Sequence, residues 1–138
     1  MVNASSQPSL EALSTQATIA AAHAYAPYSG FRVGAALLLE SGQVVTGGNV
    51  ESASYGLTIC AERSALVRAI AEFGPAIRIS AVAVSNLNDA PCPPCGACRQ
   101  MLSEFVYPET QVAFPGPAGM LVMSFSDVLP LAFNLQQK

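Results

Sequence analysis

The stretch RVGAALLLESGQVVTGGNV, residues 32–50, predicts a β-hairpin. Its first part is apolar almost without interruption as far as Leu39, which is typical of a strand that is buried on both faces. Ser41-Gly42-Gln43 then forms a short polar turn, and the β-branched residues after it begin a second strand. The first strand of this hairpin is therefore expected to be buried.

Helical periodicity is present on both sides of the hairpin. Ser9 is suited to be the N-cap of a helix that ends before Pro27. Apolar residues recur at helical spacing within it: Leu13, Ala17, Ala20, Ala21 and Ala24. A second helix is predicted from about Cys60 to Phe73, where Gly74-Pro75 closes it.

The second half of the chain alternates between strand and helix patterns. RISAVAVS (78–85) is a strand, a helix follows over about 95–106, and TQVAFPG (110–116) and MLVMSF (120–125) are strands. SDVLPLAF (126–133) is predicted as a short terminal helix or turn. The order α-β-β-α-β-α-β-β predicts one mixed sheet with helices on its faces, in a single domain over residues 1–138. Strands that follow helices should run parallel through right-handed crossovers.

The composition indicates an association between subunits. Hydrophobic residues make up 51% of the 138 residues and charged residues only 11%, with a mean hydropathy of +0.40. This charge is too little to cover the whole surface of an isolated subunit, so partner subunits are expected to bury part of the apolar surface. The alternative is a single subunit with an unusually apolar surface.

The charge pattern excludes several classes of partner. The net charge is −3 and the six Lys and Arg residues are scattered, so nucleic acid is not an expected partner. The N-terminus has no leader pattern and no apolar run could span a bilayer, so we expect a cytoplasmic protein that does not bind membranes. In that compartment, clustered cysteines are more often metal ligands or catalytic groups than disulfides.

The cysteines are placed where helices begin. Cys60 opens one predicted helix, and Cys95 and Cys98 open another, in the stretch PCPPCGACRQ (91–100). Unpaired N–H groups at a helix N-terminus lower thiol pKa values and stabilise thiolates. If the two helices lie side by side, three thiolates converge, and soft sulfur ligands favour tetrahedral zinc.

The number of ligands separates a structural site from a catalytic one. With Cys92 as a fourth ligand the site would be closed and structural, whereas without it one position stays open for water or substrate. Glu62 is then either a general base beside the metal or a charge that favours the helix dipole. Both Cys60 and Glu62 can face one ion only if Cys60 lies at the irregular start of its helix. Arg63 either offsets the sulfur charge or is an ordinary surface arginine.

Two motifs carry a resemblance to a known family. TICAERSAL (58–66) and PCGACRQ (94–100) resemble the Cys-Ala-Glu and Pro-Cys-x-x-Cys pair of zinc-dependent nucleoside deaminases, and most of the chain resembles the small tetrameric cytidine deaminases. The resemblance implies an α/β three-layer sandwich in which helices flank a mixed five-stranded sheet. It also implies one zinc ion per subunit on Cys60, Cys95 and Cys98, with Glu62 moving protons.

The activity implied by the resemblance is the hydrolytic deamination of cytidine and 2′-deoxycytidine in pyrimidine salvage, with release of ammonia. Phe31 would contact the base, Asn49 and Glu51 would bind the ribose hydroxyls, and the backbone of Ala61 would contact the base or the water. Two alternatives stay open. One is a deaminase of a modified cytosine nucleoside or a nucleoside antibiotic, and the other is a structural module with zinc on four cysteines.

The same resemblance implies how the subunits assemble. Tyr55 and Phe133 correspond to family positions that complete the pocket of a neighbouring subunit. A homotetramer with its sites at the subunit contacts is therefore expected, and it would cover the apolar surface that the composition indicates.

Overall fold

The fold is a five-stranded sheet with helices on both faces. A computed structural model describes residues 7–135 of the chain. In chain order the elements are α1 (Leu10–Ala21), β1 (Val33–Leu39), β2 (Val44–Gly48), α2 (Ala61–Phe73), β3 (Ile79–Asn86), α3 (Gly96–Leu102), β4 (Val106–Gly116), β5 (Gly119–Ser124) and α4 (Phe125–Val128). The predicted order of helices and strands is confirmed.

The sheet is mixed, with the strand order β2-β1-β3-β4-β5. β1 is antiparallel to both of its neighbours, and Ala36 pairs with Thr46 on β2 and with Ala83 on β3. β3 and β4 are parallel, because the crossover through α3 returns the chain to the end of the sheet at which β3 began. β4 and β5 form an antiparallel hairpin. β2 and β3 also run in the same direction, although β1 lies between them.

β1 is the centre of the core, and all seven of its residues are buried. Ala35, Leu37 and Leu39 belong to the larger core, which also includes side chains from α2, α3 and α4. Ala36 and Leu38 belong to a smaller core that includes α1. The uninterrupted apolar run is therefore explained by helices on both faces, and the three-layer prediction is confirmed.

The helix α1 begins as predicted but ends earlier. The Ser9 Oγ accepts a hydrogen bond from the Ala12 N–H at 3.1 Å, which is an N-cap. α1 ends at Ala21 rather than just before Pro27, so this part of the prediction was wrong. The Tyr25 N–H bonds instead to the Asn49 carbonyl, and the Tyr25 carbonyl accepts the Glu51 N–H. These two bonds form a parallel β-bridge between Tyr25 and Val50 in place of another helical turn.

The boundary between α3 and β4 also differs from the prediction. α3 ends at Leu102 rather than near residue 106, and β4 begins at Val106 rather than at Thr110. The reason is a tertiary contact: the Ile79 N–H bonds to the Phe105 carbonyl and the Thr110 hydroxyl bonds to the Ile79 carbonyl, both at 2.8 Å. These bonds hold the segment against β3 in an extended conformation.

The last helix is short. α4 covers Phe125–Val128 and stops before Leu129, because Leu129 precedes Pro130 and a residue before proline disfavours the helical conformation. Within residues 7–135, no helix combines the length and the apolar character that crossing a bilayer would need.

Gly34 on β1 lets α1 approach the sheet closely. A Cβ at this position would lie 1.8 Å from the Ala17 carbonyl oxygen and 2.5 Å from the Ala21 nitrogen. We expect Gly34→Ala to lower the free energy of unfolding by about 3 kcal/mol, because backbone atoms cannot rotate away from the added methyl group. Chemical denaturation at a fixed protein concentration measures this.

The matched control is Gly56→Ala, since a Cβ at Gly56 meets nothing within 4 Å. It should change the free energy of unfolding by less than about 0.5 kcal/mol. Equal effects of the two substitutions would contradict the close packing of α1 on β1.

Candidate active site

Three cysteine sulfurs meet between the N-termini of α2 and α3. The Sγ atoms of Cys60 and Cys95 are 3.7 Å apart, those of Cys95 and Cys98 are 3.4 Å apart, and all three lie within 4.8 Å of one another. A tetrahedral ion with zinc–sulfur bonds of about 2.3 Å needs sulfurs about 3.8 Å apart. The three thiols therefore fit a zinc ion, as the sequence predicts.

Local backbone geometry explains this convergence. Cys60 and Cys95 are the N-cap residues of α2 and α3, and both have extended backbone angles, with φ near −70° and ψ of 157° and 165°. Cys98 lies within the first turn of α3 and is buried. The condition on Cys60 is met, because the regular helix begins only at Ala61 and Glu62 occupies its first turn.

The surroundings of Cys60 favour negative charge on its sulfur. The hydrogen bond with Cys98 is the largest cause that lowers the pKa of Cys60 well below its ordinary value, and the hydrogen bond with Arg63 is a smaller one. The pKa of Cys98 is raised, because it shares a hydrogen bond with Cys60 and is buried. The Arg63 guanidinium lies 3.6 Å from the Cys60 sulfur and also bonds to the Thr58 carbonyl. The interpretation of Arg63 as a group that offsets sulfur charge is favoured by this contact.

Cys92 stands apart from the three sulfurs. Within residues 7–135, only Cys60, Cys95 and Cys98 form a Cys, His, Asp or Glu group close enough to share an ion. Cys92 packs against the larger core, and its N–H bonds to the Pro115 carbonyl at 2.9 Å. Burial raises the pKa of Cys92 to about 11, so it is a neutral thiol at neutral pH. This arrangement favours the site with three cysteines and an open position.

Glu62 is a buried carboxylate beside the sulfurs. It is only 4% exposed, and burial, with the charge of Cys60 as a smaller cause, raises its pKa. A carboxyl group with a raised pKa can both accept and return a proton near neutral pH. Its position therefore suits proton transfer better than a solvated role at the helix dipole.

A cleft of about 240 Å³ is lined by Glu62 and by two of the clustered cysteines, Cys60 and Cys95. The predicted site residues that line it are Phe31, Asn49, Glu51, Tyr55, Cys60, Ala61, Glu62 and Cys95. A larger cavity of about 440 Å³ lies near Ser14, Asn86 and Met120, but it contains none of the cysteines. The chemistry therefore assigns the site to the smaller cleft.

Two buried polar residues, Asn49 and Glu51, line the cleft. The Asn49 amide accepts the Val33 N–H at 2.8 Å and donates to the Phe31 carbonyl at 2.9 Å. Glu51 accepts hydrogen bonds from Tyr28 and Ser29, and the Ser29 hydroxyl is the main reason why the pKa of Glu51 is lowered. Glu51 is therefore ionised, and Asn49 ties β1 to β2.

Some predicted residues lie outside the cleft, and some lining residues were missed. Phe133 does not line the cleft of its own subunit; its ring is exposed, and its carbonyl accepts a bond from Gln100 at 2.7 Å. Cys92, considered from the sequence only as a fourth ligand, also lines the cleft. Four other lining residues were not predicted: Ser29, Val33, Thr58 and Pro93. The only sequence signal for them was proximity to predicted site residues.

Arg99 makes hydrogen bonds that hold the start of α3 in place. Its guanidinium donates to the Pro94 carbonyl at 2.7 Å and to the Val128 carbonyl at 2.8 Å. It therefore links the start of α3 to α4, and these contacts go to backbone carbonyls rather than to sulfur.

Known proteins are similar to this chain in sequence and in fold. The family model described as "Cytidine and deoxycytidylate deaminase zinc-binding region" matches residues 7–114, which include all three clustered cysteines. The cytidine deaminase of Halalkalibacterium halodurans is 46% identical over 116 residues, which are 82% of this chain and 85% of that protein. A cytidine deaminase of Mycobacterium tuberculosis is 47% identical over 119 residues, which are 86% of this chain and 85% of that protein.

Solved structures agree with these relatives. The crystal structure of cytidine deaminase from Burkholderia pseudomallei superposes with a TM-score of 0.82 at 44% identity, over 91% of this chain and all of that one. The predicted fold class is confirmed by this match. The zinc cofactor is supported both by the family's zinc-binding region and by the cluster of three cysteines. By sequence, fold and metal ligands, the chain belongs to the cytidine and deoxycytidylate deaminase family.

Proposed function

We propose that the protein catalyses the hydrolytic deamination of cytidine and 2′-deoxycytidine to uridine and 2′-deoxyuridine, with release of ammonia. The observation that carries this proposal is the buried Glu62, which lines a cleft beside three converging cysteines. The names of the relatives support the same reaction.

The metal and the carboxylate have separate tasks. Cys60, Cys95 and Cys98 would hold zinc, which when bound supplies a Lewis acid that makes an attacking water more acidic. Glu62 accepts the proton of that water and passes it to N3 of the cytosine ring as C4 is attacked. It then takes the proton of the new C4 hydroxyl, as the carbonyl forms, and delivers it to the departing amino group, which leaves as ammonia. The raised pKa of Glu62 supports this role, because the group must carry a proton between these steps.

The cleft suits an uncharged nucleoside. Phe31 would pack on the base, the backbone of Ala61 would bond to the base or the water, and Asn49 and Glu51 would serve the ribose. In the described part of the chain, the residues that line the cleft include no Lys or Arg, and Glu51 is ionised. A 5′-phosphate would meet negative charge there, which supports free nucleosides as substrates.

A homotetramer would complete the site. Tyr55 is 68% exposed and Phe133 is 67% exposed, although both are large apolar side chains. Only 11% of the residues are charged, so the surface of a single subunit has few charged side chains to offset this exposed apolar area. Contacts between subunits would bury it. Phe133 would complete the pocket of a neighbouring subunit, and Tyr55, which also lines the cleft of its own subunit, would lie at the same contact between subunits. We place the reaction in the cytoplasm and in pyrimidine salvage, since free cysteines that bind zinc need a reducing compartment.

The first prediction concerns the reaction itself. Purified protein that contains zinc should convert cytidine and 2′-deoxycytidine at neutral pH. It should convert cytidine 5′-monophosphate at least about 100-fold more slowly, because the described residues that line the cleft include no Lys or Arg to pair with the phosphate. The change in ultraviolet absorbance with ammonia release measures each rate. Zinc-loaded protein that leaves cytidine unchanged but converts a modified cytosine nucleoside would favour the alternative substrate class.

The second prediction separates the three-cysteine site from a structural site with four. Glu62→Ala should keep zinc and the fold but lower turnover by about 10²-fold to 10⁴-fold, because proton transfer is lost. Cys92→Ala should keep both zinc and activity, since its sulfur lies outside the cluster. Metal analysis, thermal melting and turnover of both variants measure this.

The opposite pattern would contradict the proposal. Loss of zinc or of the fold in Cys92→Ala, together with full integrity and no catalytic defect in Glu62→Ala, would indicate a structural zinc module.

The third prediction tests whether subunits share a site. The assembly should have a mass near 57 kDa, four times that of the 14.3 kDa chain. Glu62→Ala and Phe133→Ala subunits should each be inactive alone. Co-expressed in equal amounts, they should recover roughly a quarter of wild-type turnover. Random assembly gives about one site in four an intact Glu62 together with an intact Phe133 from the neighbouring subunit. A monomer, or no recovery in isolated mixed assemblies, would show that the site is complete within one subunit.

A further inference from the structure

The turn at Tyr28 and Ser29 surrounds the Glu51 carboxylate. Oε1 of Glu51 accepts the backbone N–H groups of Tyr28 at 3.0 Å and Ser29 at 3.1 Å. Oε2 accepts the hydroxyl of Ser29. Glu51 is only 6% exposed, so these three bonds hold a carboxylate that has little contact with water. The turn therefore fixes both the position and the charge of Glu51.

The Glu51 carboxylate has an acceptor site left for a ligand. An ionised carboxylate has about four lone-pair sites, two on each oxygen. Oε1 uses both of its sites on backbone N–H groups, and Oε2 uses one on the Ser29 hydroxyl. One acceptor site remains, on Oε2, and Glu51 lines the cleft. Glu51 can therefore accept a hydrogen bond from one hydroxyl of a ligand.

The Ser29 hydroxyl also bonds to the next part of the site. Its oxygen accepts the Phe31 N–H at 3.0 Å while its proton goes to Glu51. A hydroxyl can donate one bond and accept others, so a single atom ties the residue expected to contact the base to the residue expected to contact the sugar. Ser29 itself lines the same cleft.

We propose that Ser29 is a positioning residue, which orients Oε2 of Glu51 toward a single hydroxyl of the ribose ring. This inference rests on the proposed function, since it assigns a task in the binding of the nucleoside. Ser29 acts on the affinity for the sugar and not on the chemistry at the base, because neither its hydroxyl nor Glu51 makes a hydrogen bond with Glu62 or the cysteines. The lowered pKa of Glu51 agrees with a carboxylate that stays an acceptor.

The test is a comparison of two substrates with Ser29→Ala. With cytidine we expect KM to rise roughly tenfold while kcat stays within about twofold. Without Ser29 the Glu51 carboxylate is no longer oriented, so its hydrogen bond to the ribose hydroxyl is lost from binding and not from the chemical step. With 2′,3′-dideoxycytidine, which lacks both ring hydroxyls, neither constant should change. Ser29→Thr, which keeps the hydroxyl, should restore the KM for cytidine.

Two controls separate positioning from a general defect. Ser41→Ala removes a hydroxyl from the exposed β1–β2 turn, which does not line the cleft, and should leave both substrates unaffected. In a double-mutant cycle, Ser29→Ala should add little to the loss caused by Glu51→Gln, since Ser29 acts through Glu51. If Ser29→Ala does not fold, Ser29→Cys, a weaker donor of similar size, serves in the same comparison.

An equal loss on both substrates, or a fall in kcat without a rise in KM, would overturn the role of Ser29. So would additive effects of the Ser29 and Glu51 substitutions. Failure of the proposed function itself is distinguishable, because it would appear as wild-type protein that converts neither substrate.

Discussion

The structure depends on one constraint: the N-termini of α2 and α3 must meet so that three thiols can share an ion. Cys60 and Cys95 are N-cap residues, and their extended backbones direct the sulfurs to within 3.7 Å of each other. The crossover through α3 places this helix beside α2 on one face of the sheet. Glu62 then lies in the first turn of α2, two residues after Cys60 in the chain, and its buried side chain lines the cleft.

The elements could be predicted from the sequence because their determinants are local. An apolar run, a capping serine and glycine-proline stops need no knowledge of distant residues, and β1, the start of α1 and the end of α2 followed from them. The ends of α1 and α3 could not be predicted, because remote partners decide them. The backbone of Tyr25 pairs with the segment after β2, and the carbonyl of Phe105 bonds to β3.

The candidate site could also be predicted only where its determinants are local. Cysteines at two helix starts indicated a metal centre, and Glu62 followed from its place beside one of them. The number of ligands stayed open, because spacing alone allows Cys92 to join; its packing against the core now favours three. The contact of Ser29 with Glu51 spans 22 residues, and no local pattern marks it.

The central claim is a zinc site with three sulfur ligands and one position left for water. Zinc K-edge X-ray absorption on the purified protein, as isolated and without substrate, tests it most directly. The account predicts three sulfur neighbours at about 2.3 Å and one oxygen neighbour at about 2.0 Å for each zinc. Four sulfur neighbours would contradict it, because the site would then be closed and Cys92 would be a ligand.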